Sequence, residues 1–398
     1  MRKTNIGIPI LRFSGFQNEW NKCELGSFLE EFRETVKAPT TLPIFSSTRV
    51  GLIPQKKYYD NHELQNEGSY GVVPRNYFTY RHMSDDLTFK FNINRYADKI
   101  AVSKEYPVFK TVSLNSKFLL LKLNYGNDFK QFAIQQKKGG TRTRLYFKIL
   151  RKWKTRLPSL REQQKIAEFL GTVDEWIENL EKQKDALETY KKGMMQKIFS
   201  QVIRFKDTNG KNFPKWEEKQ LKKILKERKN YSVKGSGYDH ISLTTNGVVT
   251  KTERYNRDFL VGNDIEKKYK ITKINDLCYN PANLKFGVIA LNRLKDGIFS
   301  PIYVTFEIID QDINFVDYYL TRKDFINKAR RYEQGTVYER MAVSPEDFLK
   351  VKLLFPSLPE QKKIAEFLGS IDKFLKLKQG QILKAKLWKK GLLQQMFI

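Results

Sequence analysis

Cysteine and histidine are scarce in this 398-residue chain, which has two of the first and three of the second. Cys23 and Cys278 can build neither a disulfide framework nor, by themselves, a four-ligand zinc site. His62, His82 and His240 stand in unrelated contexts, none within an H-E-x-x-H pattern. No apolar run reaches the roughly 18 residues of a membrane-spanning helix. The opening residues Met1-Arg2-Lys3-Thr4-Asn5 lack the apolar stretch of a secretory signal, so a cytoplasmic protein without membrane partners is expected. Phosphate-cradling loops are missing as well. No G-x-x-x-x-G-K-[ST] occurs, and Gly235-Ser236-Gly237 lacks the third glycine of G-x-G-x-x-G. Asn280-Pro281-Ala282-Asn283 fails two positions of the Asn-Pro-Pro-aromatic methyltransferase pattern, including the stacking aromatic. Glu217-Glu218-Lys219 has the E-x-K half of a nuclease site without its Pro-Asp partner. The chain therefore reads as a binder rather than a catalyst, with no metal and no cofactor of its own.

Acidic residues are also in deficit. Asp plus Glu number 44 against 73 Lys plus Arg, a formal net charge of +29. Hydrophobic residues at 40%, with 28 Phe and 20 Tyr, are enough to build cores, so a disordered polycation is excluded. The charge comes in blocks: +15 over 1–156, −1 over 157–203, +9 over 204–354 and +6 over 355–398. Two basic blocks flank a nearly neutral segment, a pattern suited to two polyanion-binding units held apart by a spacer, and nucleic acid is the commonest polyanion.

An internal repeat supplies the boundaries. Residues 157–176 read LPSLREQQKIAEFLGTVDEW, and residues 355–374 read FPSLPEQKKIAEFLGSIDKF, at a constant offset of 198. Extended to 157–199 and 355–397, the two copies share 19 of 43 positions. The period is far too long for a solenoid and marks a duplicated unit of domain plus helix. Weaker echoes mark the domain starts: Leu11-Arg12-Phe13 precedes Trp20, and Ile203-Arg204-Phe205 precedes Trp216.

Each copy is predicted to be a long helix. Ser159-x-x-Glu162 and Ser357-x-x-Glu360 are capping-box patterns. Apolar residues then recur in steps of three and four: Ile166, Phe169, Leu170, Val173, Ile177 and Leu180 in the first copy, Ile364, Phe367, Leu368, Ile371 and Leu375 in the second. Such a seam is expected to pair the helices as an antiparallel coiled coil, and about 40 residues would make a rod of roughly 60 Å. The fold class expected is α/β (α+β): two mixed domains, 1–156 and 204–354, separated by two long helices, 157–203 and 355–398, in a pseudo-twofold repeat. Within the blocks, Phe118–Leu123 and Ile302–Ile309 read as strands, Asn246-Gly247 and Asp296-Gly297 as turns, and 217–229 as a short helix.

Basic residues mixed with Asn, Thr and Tyr suit phosphate positioning and base-edge readout. In the first block these are Arg75, Asn76, Tyr77, Tyr80, Arg81, Lys90, Asn92, Asn94 and Arg95, with Arg142 and Arg144 beside Gly139-Gly140 as a mobile basic loop. In the second they are Thr244, Thr245, Asn246, Asn280, Asn283, Lys285, Tyr338 and Arg340.

The doubled P-S-L-x-E-Q-x-K-I-A-E-F-L-G-x-x-D signature at 158–174 and 356–372 closely resembles the helical regions of type I restriction-modification specificity (HsdS) subunits. Ser300-Pro301-Ile302-Tyr303 and Gly335-Thr336 are similar too, while the first block has no Ser-Pro counterpart near Phe109-Lys110-Thr111. The resemblance implies two target recognition domains, each reading one half of a bipartite site on double-stranded DNA. It implies that the paired helices set the spacer and dock two modification (methyltransferase) subunits, with the seam residues contributing. Restriction (motor-nuclease) subunits would join them. S-adenosylmethionine, ATP and Mg would reside on those partner subunits. The rival readings are a stand-alone DNA methyltransferase or nuclease, and a basic scaffold for acidic proteins.

Overall fold

A computed structural model describes residues 8–59, 68–137, 142–233, 235, 237–250, 267–335 and 341–397. The chain forms two compact units, one of residues 1–183 with 378–398, the other of 184–377.

Among its described residues the first unit contains the strands β1 (Asn21–Glu24), β2 (Leu29–Phe32), β3 (Thr35–Lys37), β4 (Phe45–Thr48), β5 (Gly51–Pro54), β6 (Ser69–Pro74), β7 (Phe78–Tyr80), β8 (Met83–Ser84), β9 (Phe91–Ile93), β10 (Lys99–Ser103), β11 (Val108–Thr111), β12 (Thr143–Arg144) and β13 (Lys154–Leu157). Its helices are α1 (Gln55–Tyr58), α2 (Ser116–Tyr125), α3 (Asn127–Gln135) and α4 (Phe147–Arg151), together with part of the long α5 (Leu160–Phe199). The second unit contains β14 (Glu217–Gln220), β15 (Leu225–Glu227), β16 (Tyr231–Val233), β17 (Asp239–Thr244), β18 (Gly247–Thr250), β19 (Lys268–Thr272), β20 (Leu277–Tyr279), β21 (Ile289–Leu291), β22 (Gly297–Phe299), β23 (Val304–Ile308) and β24 (Lys352–Phe355). Its helices are α6 (Ile313–Leu320), α7 (Lys323–Ala329), α8 (Pro345–Lys350) and part of the long α9 (Leu358–Met396).

The two units share one strand plan. The four-stranded sheet β2-β11-β7-β9 has its counterpart in β15-β23-β20-β21, the row β10-β6-β3 in β22-β19-β16, and the pair β1-β13 in β14-β24. The duplication seen in the helices therefore extends through both mixed domains, where sequence alone shows only fragments of it.

Two expectations are corrected. Phe118–Leu123 lies in helix α2, not in a strand. Asn115 caps it by accepting the Phe118 N–H, and the buried Phe118, Leu119, Lys122 and Leu123 fall on one helical face. A six-residue apolar run carries no decisive period, so burial cannot be assigned to strand or helix from it. Residues 217–229 are not helical: Glu217–Gln220 pairs with β24 and Leu225–Glu227 with β23, joined by a short 3-10 turn. Ladder pairing overrides the helix propensity of Lys, Glu and Leu there. Ile302–Ile309 does contain a strand, Val304–Ile308.

The long helices are antiparallel within each unit. In the first, Ile166, Ala167, Leu170, Val173, Ile177 and Leu180 from the start of α5 share a core with Ile382, Ala385, Leu392, Leu393 and Met396 from the end of α9. In the second, Ile198 and Phe199 from the end of α5 share a core with Ile364, Ala365, Leu368 and Ile371 from the start of α9, and Phe367 and Leu375 pack at its margin. Phe169 occupies the corresponding margin in the first unit. Each fully buried Leu or Ile contributes about 1.5–3 kcal/mol, so these seams are a main source of each unit's stability.

Candidate nucleic-acid interface

The repeated signature is explained by what its Glu and Gln hold. Glu162 is 1% exposed and accepts two hydrogen bonds from Arg12, at 2.7 and 2.8 Å, and one from Trp20 Nε1 at 3.3 Å. Glu360 is fully buried and accepts from Arg204 at 3.1 and 2.7 Å and from Trp216 Nε1 at 3.2 Å. Gln163 accepts the Asn115 backbone N–H at 2.9 Å, and Gln361 accepts that of Asp312 at 3.0 Å, so each glutamine reaches the cap of the first domain helix, α2 or α6. A Glu–Gln pair at the head of each long helix thus fastens it to the entry strand region and to the first helix of its own domain.

This changes the capping-box reading. Ser159 Oγ accepts the Glu162 N–H at 3.4 Å, but the carboxylate is engaged by Arg12 and Trp20. Ser357 Oγ is buried without a hydrogen-bond partner. The arginine outcompetes the backbone because a bidentate charged donor beats one neutral N–H.

A second lock appears in both units with its partners exchanged. Lys191 on α5 meets Asp372 on α9 at 2.6 Å in the second unit. In the first, Lys389 on α9 meets Asp174 on α5. Lys191 and Lys389 are 198 residues apart, as are Asp174 and Asp372. Asp372 also accepts from the Tyr318 hydroxyl, while Lys389 lies over the Tyr125 ring at 5.8 Å.

The basic candidates divide by burial. Tyr80 is fully buried and donates to the Leu145 carbonyl at 2.9 Å, and burial drives its phenol pKa far up. Asn94, also fully buried, donates to the Val73 and Ala97 carbonyls. Asn92 donates to Ser47 Oγ, and Asn280 caps the turn Pro281–Phe286. These four hold the fold, and burial removes them from any groove. Tyr77 packs edge-on against Phe32. Arg75, Arg81 and Arg95 are exposed, Arg75 beside Asp98 and Arg95 donating to Asn76. Arg142 pairs with Asp85, and Arg144 lies in strand β12, not in a loop; Gly139 and Gly140 fall outside the described residues. Thr244 is tied into a hairpin turn, Thr245, Asn246 and Lys285 are exposed, and Asn283 is half-buried. Tyr338 and Arg340 fall outside the described residues.

In the first unit a cavity of about 660 Å³ is lined by Arg49, Arg81, Lys90, Tyr58 and Tyr59. Arg49 escaped the sequence reading because it is isolated among uncharged residues; the structure brings it to Arg81 and Lys90 through the β4–β5 hairpin.

The helices also carry apolar residues outside the cores. Trp176 and Trp388, each 48% exposed, meet edge-on at 6.2 Å. Their repeat equivalents, Phe374 and Tyr190, are 57% and 50% exposed. Trp388, which falls on the apolar period of α9, therefore lies at the rim of the seam.

The chain is thus built as two like mixed domains, each locked to long antiparallel helices and rich in exposed cations. The type I restriction modification DNA specificity domain matches residues 44–189. A putative type I restriction enzyme specificity subunit, MjaX, of Methanocaldococcus jannaschii is 26% identical over 97% of this chain and 93% of its own length. The MjaVIII specificity subunit from the same organism is 28% identical over 64% of each chain. Among solved structures, the S subunit of the type I restriction-modification system from M. genitalium is similar in fold, with TM-score 0.53 and 14% identity over 98% of this chain and 99% of that one. A chain from a structural study of type I restriction-modification complex assembly and conformational transition gives TM-score 0.55 at 14% identity, covering 95% and 97%. The chain is thus similar to type I restriction enzyme specificity subunits in sequence, and to solved chains of type I restriction-modification systems in fold.

Proposed function

We propose that this chain reads a bipartite site on double-stranded DNA and leaves the chemistry to other subunits. It is a recognition subunit, not an enzyme. The observation that carries this reading is the doubled lock, Arg12–Glu162–Trp20 and Arg204–Glu360–Trp216, which fixes a cationic domain on each long helix. One domain then serves one half-site, and the length of the helices sets the spacer. Exposed cations such as Arg75 and Arg81 supply phosphate contacts, which position the protein without reading sequence.

The partners proposed are two modification subunits, docked on the helices through the exposed aromatic residues Trp176, Trp388, Tyr190 and Phe374, and restriction subunits that join them. Aromatic residues at the centre of an interface commonly dominate its energy. S-adenosylmethionine, ATP and Mg belong on those partners in this reading.

The test is binding to duplex DNA as salt is varied. Each phosphate contact contributes about 0.9 to the slope of log K against log salt. Arg75→Ala with Arg81→Ala should flatten the slope by nearly two such steps and weaken all sequences alike. An unaltered slope would remove both residues from the interface. One helical turn inserted near Lys184 should lengthen the preferred spacer and keep both half-sites.

A further inference from the structure

Each unit carries a hairpin built on the same plan, with the same turn frame around different tip residues. In the first unit, β4 and β5 meet with Thr48 opposite Gly51. Thr48 Oγ1 donates to the Gly51 carbonyl at 2.8 Å and accepts the Val50 N–H at 3.2 Å. In the second unit, β17 and β18 meet with Thr244 opposite Gly247. Thr244 Oγ1 donates to the Gly247 carbonyl at 3.0 Å and accepts the Asn246 N–H at 3.1 Å. Gly51 and Gly247 have φ of 134° and 102°, where side chains are strained, so glycine closes both turns. Even the attachment is repeated: Ile44 bridges Ala101 in parallel, just as His240 pairs in parallel with Ile298. The two T-x-x-G strings are 196 residues apart.

Between these fixed residues the tips diverge, Arg49-Val50 in one and Thr245-Asn246 in the other, and all four side chains are exposed. Val50 is 85% exposed, which no packing requirement explains. A frame kept twice around tips that differ is what two readers of different sequences need. The dimensions agree, since the major groove of B-DNA admits a two-stranded β-ribbon. So does the chemistry. An arginine fork matches the O6 and N7 acceptors of guanine, an aliphatic side chain meets the thymine methyl, and an asparagine amide pairs with N6 and N7 of adenine. Arg49 is presented rather than loose, held 2.9 Å from Asp86, which in turn accepts from Ser84 Oγ and the Thr88 N–H. Arg81 and Lys90 flank the same cavity and can hold the adjoining phosphates.

We propose that these two hairpins are the base-reading fingers of the two units, with specificity carried by Arg49-Val50 for one half-site and by Thr245-Asn246 for the other. This rests on the DNA-reading function proposed above. The first tip favours a G-containing step, and the second a step containing A.

The test selects motifs from a randomised duplex library with the full chain. It compares wild type with Arg49→Thr plus Val50→Asn, and with Thr245→Arg plus Asn246→Val. Thr48, Gly51, Thr244 and Gly247 stay in place, and unchanged thermal unfolding midpoints confirm that the variants fold. Each exchange should alter preference at two or so adjacent base pairs of one half-site, by on the order of tenfold to a hundredfold. The other half-site and the affinity for unrelated DNA should hold within about threefold. Loss of preference at those base pairs without a new one also supports the assignment. Folded variants that enrich the wild-type motif unchanged would overturn the hairpin assignment alone and leave DNA reading intact. A wild-type chain that enriches no motif would overturn DNA reading, and the fingers with it.

Discussion

Replacing Glu162 by glutamine isolates the lock between α5 and the first domain. The side chain keeps its shape and one carbonyl oxygen, but loses the charge that receives Arg12 at 2.7 and 2.8 Å. Arg12 has a side chain only 11% exposed, and its carboxylate partner is 2% exposed, so little solvent can take over. The carboxylate holds the guanidinium pKa above its ordinary value, chiefly through the hydrogen bond. Breaking a buried pair by removing one member costs about 3–5 kcal/mol, a large part of the roughly 5–15 kcal/mol that holds a typical domain. Adding Arg12→Met to Glu162→Gln removes the orphaned charge and should recover more than half of the loss. Urea unfolding gives the magnitude, and hydrogen exchange gives the place. Peptides covering 12–29 should exchange faster in Glu162→Gln, and peptides covering 204–225 only in Glu360→Gln. A loss below about 1 kcal/mol, or equal loosening of both regions by either substitution, would refute the reasoning.

Two further outcomes follow from buried titratable groups in the first unit. Lys122 is fully buried, bonded to Asp128 at 2.7 Å and placed 5.4 Å from the Trp20 ring and 5.6 Å from that of Trp153. Lys122→Ala should cost about 3–5 kcal/mol in urea unfolding, from cavity and orphaned carboxylate together, and Lys122→Met less than half of that. His82 is 6% exposed and stacked on Tyr146, and burial holds its pKa below 6.5. Between that lowered value and 6.5 the unfolded chain binds more protons than the folded one, so stability should fall as pH drops through this window. Urea midpoints measured across it should decline in the wild type and decline less in His82→Phe.

Much of this was legible in the sequence, and the reason is periodicity. The long helices announce themselves because steps of three and four open each of them and recur 198 residues later. Function within the signature was less legible. Glu162 and Gln163 look like helix-capping and solvent-facing residues, and only their distance partners Arg12 and Asn115 reveal a clamp. The candidate contacts Asn92, Asn94 and Tyr80 show the limit from the other side. Polar residues in a basic stretch read as surface, yet strands buried on both faces and the need to satisfy buried carbonyls put them inside. The hairpin tip at Arg49 carried a usable signal, a T-x-x-G at nearly the repeat offset. Four residues with two fixed positions stand out only after the paired turns are seen to be alike.

The composition of the units makes the C-terminus a structural part of the first domain, not of the second. Ending the chain at Leu377 removes Ile382, Ala385, Leu392, Leu393, Met396 and Phe397, each no more than 7% exposed and all in the core of the first unit. Phe397 packs 5.5 Å from Phe118 on α2, and the Leu11 N–H donates to the Gln395 carbonyl. At about 1.5–3 kcal/mol for each large side chain, the deletion removes as much as the whole stability of an ordinary domain. The second unit loses none of its core, since Ile364, Ala365, Leu368 and Ile371 all precede the cut. The truncated chain should therefore show a molten first domain and a protected second one, although the cut lies at the end of the sequence nearer the second. Limited proteolysis followed by mass spectrometry distinguishes the cases. Early cleavage should fall within 8–157, and fragments spanning 204–355 should persist. The reverse pattern would mean that α9 serves the domain next to it in sequence and that the antiparallel exchange of helix halves is wrong.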